Sequence, residues 1–104
     1  MSDLLRTEGL LRQQMEQILQ QLVDPKVLGD AREMRRLGRE RNRIEKLLAA
    51  MEAYGKARAN LSEMEEAAEG ADEELAEIAQ GELPAAQEEM EKREQELKIL
   101  LTPK

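Results

Sequence analysis

Five cations, Arg32, Arg36, Arg39, Arg43 and Lys46, follow one another at gaps of 4, 3, 4 and 3. On a helix that spacing sets them along one face, beside an apolar stripe, with Arg35 and Arg41 flanking them. A guanidinium row of this kind suits phosphate oxygens, which arginine grips with two parallel N–H donors. The plainer reading is ion pairing with an acidic helix alongside, as at the edge positions of a coiled coil, and it takes precedence on spacing alone. The two readings are compatible. No aromatic residue interleaves with the row, so base stacking is not available to it.

The other chemistry-bearing groups are carboxylates. Glu63, Glu65, Glu66, Glu69, Asp72, Glu73, Glu74 and Glu77 crowd around one turn. A calcium site or a catalytic pair needs carboxylates converging on one point. No D-x-D-x-D-G loop is present, so a solvated acidic surface is expected. The chain has no histidine and no cysteine, which removes the commonest acid–base group, the commonest metal ligand, thiolate chemistry and disulfides. It also lacks a glycine-rich phosphate loop and a nucleophile elbow. Neither enzymatic activity, a cofactor, a metal nor a small-molecule substrate is expected.

The elements that carry these groups read as helices. The apolar residues are leucine, alanine, methionine and isoleucine, and Tyr54 is the single aromatic, a composition poor in strand formers. A first helix is predicted from Asp3 to Leu22 with Ser2 as cap and a heptad seam at Leu4, Leu11, Met15, Ile18 and Leu22. Gly9 inside it is read as a place where a neighbouring helix approaches closely. Pro25 ends this helix, and Val27 and Leu28 are expected to tuck into the end of the core.

A long helix then runs from Asp30 to Glu69. Asp30 and Glu33 form a capping box, and Gly70 is expected to leave the helix left-handed. Its stripe is Met34, Leu37, Ile44, Leu48, Met51, Tyr54, Leu61, Met64 and Ala68, with Gly38 and Gly55 as points of bending. At about 1.5 Å per residue it is roughly 60 Å long, too long for a compact globule of this chain length. Asp72 caps a third helix, with a seam at Leu75, Ile78, Ala79, Leu83, Ala86, Met90, Leu97 and Leu100. Pro84 either kinks it or breaks it near Gly81, and it stops at Leu101 before Thr102-Pro103. Met15, Met34, Met51, Met64 and Met90 fall on the stripes and are read as core filling. Tyr54 is expected to pack in the core with its hydroxyl reaching water. The expected fold is therefore all-α, an elongated antiparallel bundle of three long helices forming a single domain over residues 1–104.

Charge is unevenly spread. Residues 26–46 carry eight basic and four acidic groups, while residues 47–104 carry six and fifteen. No signal peptide and no membrane span is apparent, so the expected place is the cytoplasm.

From Glu74 to Lys104 the chain resembles the end of the N-terminal helical domain of bacterial class I peptide chain release factors. The family shows E-x-x-E-x-A-x-x-E-L, here Glu74 to Leu83, then a charged helix, then L-L-x-P-K, here Leu100 to Lys104. The Asp24-Pro25 turn, the run REMRRLGRERNRIEKLL from Arg32 to Leu48 and the tyrosine after it fit as well. The order of these features, across nearly all 104 residues, carries the resemblance. The Pro-Lys ending looks more like the branch that reads UAA and UAG.

The resemblance implies a non-catalytic docking module in translation termination. Such a domain sits at the stalk base of the large ribosomal subunit, near ribosomal RNA and a stalk-base protein. It is also implicated in contact with the GTPase that recycles release factors. The family's Gly-Gly-Gln loop and codon-reading tripeptide belong to later domains, and neither is in this sequence. The five cations of the opening row are the candidate ribosome-contact residues. The rival is a free-standing coiled-coil interaction protein, or a chaperone-like one, working as a homo-oligomer; an obligate dimer in sedimentation would favour it. An RNA-binding protein in its own right is disfavoured by the net charge of −7 and the missing aromatics.

Overall fold

The computed structural model describes the backbone of residues 2–102 and the side chains of residues 3–102. These residues form four helices and no strand: α1 (Ser2–Leu22), α2 (Pro25–Leu28), α3 (Ala31–Ala68) and α4 (Glu73–Leu101). The three long helices fall where the hydrophobic periodicity predicts them, and α2 is an addition. The reason is local. Asp24, in an extended conformation, accepts from the Lys26 amide at 2.9 Å. Pro25 then sits at the first helical position, where its missing N–H costs nothing. The proline that ends α1 thus also starts a four-residue helix. Ser2 is the first residue of α1, one position inside the cap expected there.

The chain divides into two compact units, Met1–Ala49 and Ala50–Lys104. In the first, the core is Leu11 and Ile18 from α1 with Leu37, Ile44 and Leu47 from α3, and Ile44 is 0% exposed. Leu47 takes the inner place expected of Leu48, which is half-buried. Val27 is half-buried but Leu28 is 57% exposed, so only one of the pair is covered. A Cβ at Gly9 would meet nothing within 4 Å, so no helix approaches there.

In the second unit the core is Met51, Ala57 and Leu61 from α3 with Ala79, Ala86 and Leu97 from α4. Two hydrogen bonds fix the pairing. The Tyr54 hydroxyl donates to Glu94 Oε2 at 3.4 Å, and Gln80 Nε2 donates to the Ala68 carbonyl at 3.2 Å. As α3 advances from 54 to 68, α4 recedes from 94 to 80, so this part of α3 and α4 run antiparallel. Tyr54 is half-buried as expected, but its hydroxyl is directed to a carboxylate, and the Arg58 guanidinium lies 5.8 Å from its ring centre. Met51 is buried and the other four seam methionines are half-buried.

α4 runs unbroken through Pro84. A proline here removes the N–H that would reach the Gln80 carbonyl. Pro84 is exposed, so it lies on the solvent side of the helix, away from the buried line. Leu75 and Ile78, expected on the seam, are 56% and 59% exposed, and Leu100 is 44% exposed. The rest of the expected seam, Ala79, Leu83, Ala86, Met90 and Leu97, is buried or half-buried, and Ala76 joins it.

Helix ends follow their caps. Asp72 accepts from the Leu75 amide at 3.2 Å, and Thr102 closes α4 through its own amide and hydroxyl to the Lys98 carbonyl. Gly70 is not left-handed; no glycine among the described residues has a positive φ. A Cβ there would lie 3.3 Å from the Ala67 carbonyl oxygen, so the tight turn itself favours glycine. Pro103 and Lys104 of the terminal motif lie outside the described residues.

Candidate functional site

The cation row lies in the first half of α3, within the unit that ends at Ala49. Asp30 sets the start of that helix by accepting from the amides of Arg32 and Glu33, each at 3.1 Å. The reciprocal arm of the expected capping box is not made. The Asp30 amide donates to the Val27 carbonyl at 2.9 Å, and the Glu33 carboxylate turns to Arg36 instead.

Arg32, Arg36, Arg39, Arg43 and Lys46 are all exposed. They form two rows. Arg36 grips Glu33 with both Nε and Nη2, one donor to each carboxylate oxygen. Arg43 places Nε and Nη2 on Glu40 Oε1, at 3.2 and 2.5 Å. Glu33 and Glu40 are half-buried and lie toward the core side of the helix. Arg32, Arg39 and Lys46 stand seven residues apart, about 10 Å at the rise of an α-helix. Among the described residues their side chains have no hydrogen-bond or ion-pair partner.

Sequence spacing brought the five residues to one face, as expected, but the ion-pair reading needs correction. Among the described residues, the pairs made by the row are with glutamates three residues earlier on α3, and none is with the acidic α4. A glutamate three residues before an arginine needs no second helix to find it. That spacing was in the sequence as Glu33-Arg36 and Glu40-Arg43, and it is the signal that separates tethered from free cations.

The tethering favours the charged form of both partners. The hydrogen bond from Arg36, aided by its charge, holds the Glu33 carboxyl below its ordinary value despite some desolvation. Arg43 does the same to Glu40. Each arginine is in turn held more firmly protonated by the hydrogen bond to its glutamate. All four groups stay charged at neutral pH. The row is therefore a band of positive charge with three unneutralised points, suited to binding anions.

The eight carboxylates of the turn, from Glu63 to Glu77, are all exposed. Among the described residues no group of three or more potential ligands converges to hold a metal. No described helix is long and apolar enough to cross a membrane.

Compared with known proteins, residues 11–104 match the model of the PCRF domain, the peptide chain release factor domain. No solved structure matches the chain.

Proposed function

Because the chain belongs to the PCRF domain family of peptide chain release factors, a family of translation termination, we propose that it is the non-catalytic N-terminal helical module of such a factor. In this reading it docks at the stalk base of the large ribosomal subunit, against ribosomal RNA and protein, and lies near the GTPase that recycles release factors. The full factor is of the branch reading UAA and UAG and works in the cytoplasm. Hydrolysis of peptidyl-tRNA and codon reading belong to its other domains.

One observation carries the docking face: the exposed cation row of α3, with Arg32, Arg39 and Lys46 unneutralised. Ribosomal RNA presents closely spaced phosphates, and lysines and arginines that neutralise them release counterions, which drives binding. Charge reversal at Arg36, Arg39 and Arg43 in the full-length factor is expected to weaken ribosome binding and flatten its salt dependence. Unchanged affinity and unchanged salt dependence would remove the row from the contact.

A further inference from the structure

The second unit carries a surface that the cation row does not explain. Between Arg58 and Lys92 the chain has no basic residue and twelve acidic ones, all exposed. This stretch is the end of the α3–α4 hairpin. Along one flank of it runs a groove of 340 Å³ lined by Asn60, Met64, Glu82, Ala85, Ala86 and Glu89. Its floor is apolar, the thioether of Met64 and two alanine methyls, and its rim is acidic. Leu75, Ile78, Glu82, Ala85 and Glu89 follow at gaps of 3, 4, 3 and 4, so the exposed Leu75 and Ile78 continue the same face of α4. Two large aliphatic side chains more than half exposed, next to a shallow apolar floor, are the mark of a contact surface.

We propose that this flank docks a basic amphipathic helix of a partner protein. The partner's apolar side chains fill the groove over Met64 and Ala86 and cover Leu75 and Ile78, while its lysines or arginines meet Glu82 and Glu89. Charge selects the occupant: a stretch with twelve carboxylates and no cation repels acidic helices and nucleic acid alike. A second copy of this chain fits less well. Nine of its sixteen basic residues lie on α3, whose apolar side is already spent on Leu37, Ile44 and Leu47, between 0 and 4% exposed. That helix offers cations without apolar side chains to seat in the groove. Methionine and alanine suit the role, since an unbranched thioether adapts and small methyls let a helix approach.

The test uses the 104-residue chain and a synthetic helix of about fourteen residues, four turns, with leucines at spacings of three and four and lysines elsewhere. Two controls are a scramble of the same composition and the same pattern with glutamate for lysine. The amphipathic basic peptide should bind, and shift the amide signals of Leu75, Ile78, Ala85 and Ala86 in NMR. The scramble should bind about tenfold more weakly, because it cannot bury its leucines together. Glu82→Lys with Glu89→Lys should weaken binding about tenfold through lost and reversed charge. Arg93 keeps Glu96 as a partner at 3.2 Å, so that variant should keep its helical circular dichroism. Ile78→Ser tests the apolar part separately, and Arg32→Gln with Arg39→Gln should leave binding unchanged, which separates this surface from the ribosome-contact row. Equal binding of peptide and scramble, signal shifts elsewhere, or concentration-dependent self-association lost in the Glu82→Lys, Glu89→Lys variant would each overturn the proposal.

Discussion

Removing the two glutamates that tether Arg36 and Arg43 should strengthen binding to the ribosome. In Glu33→Gln with Glu40→Gln, the carboxylates that occupy both guanidinium forks are gone. Glutamine keeps helix propensity and length, and the Asp30 cap does not depend on the Glu33 side chain. Two more cations then become available for phosphates. Each phosphate contact adds about 0.7–0.9 to the slope of log affinity against log salt, so the double variant should steepen that slope by up to about 1.4–1.8. The converse variant, Arg32→Gln, Arg39→Gln and Lys46→Gln, removes the three free cations and should flatten the slope by about 2–3. Between 50 and 200 mM salt, the parent should then lose roughly 20- to 40-fold more affinity than that variant. The assay is a titration of ribosomes with a fluorescently labelled full-length factor across a salt series. If the glutamine pair weakens binding, or the triple variant keeps the parental slope, the division into tethered and free cations does not govern docking.

Ile44→Ala should cost about 2–5 kcal/mol, since the side chain is fully buried and α3 cannot collapse into the space. For a domain of this size that lowers the melting temperature by about 8–20 °C, against about 0.5 kcal/mol or less for Leu5→Ala at an exposed site. Pro84→Ala should raise stability by about 1–3 kcal/mol by restoring a helical hydrogen bond at a solvent-facing position, read in the same melts. The pH response has a definite sign. Glu33 and Glu40 have folded-state values below their ordinary ones, so their contribution is full above the ordinary carboxylate range and is lost as pH falls through the lowered values. The stability difference between the parent and the Glu33→Gln, Glu40→Gln variant should therefore stay constant down to about pH 5 and vanish in more acid solution.

The long helices were legible because their punctuation is explicit. Asp30 and Asp72 cap, Pro25 stops, and the heptad gaps of Leu11 and Ile18 or Leu37 and Ile44 leave little choice of face. Short and weak signals were not. α2 is one turn long and has no period to detect. At the start of α4 an inner place is taken by Ala76, whose methyl weighs less than the leucine and isoleucine near it. Reading by side-chain size therefore pulled Leu75 and Ile78 inward, and the structure leaves them out. Left-handed glycine is a common helix ending, but Gly70 answers to crowding by the Ala67 carbonyl instead. The candidate site was found as a face and missed as a pair of rows, because spacing shows which residues are neighbours and not which carboxylate each guanidinium chooses.

The most direct measurement is directed hydroxyl-radical cleavage from an iron probe attached at position 39, in the full-length factor bound to a terminating ribosome. Docking through α3 predicts strand breaks in large-subunit RNA at the stalk base, lost when the probe is moved to exposed position 88 on α4. Cleavage confined to the small subunit, or equal cleavage from both positions, would contradict it.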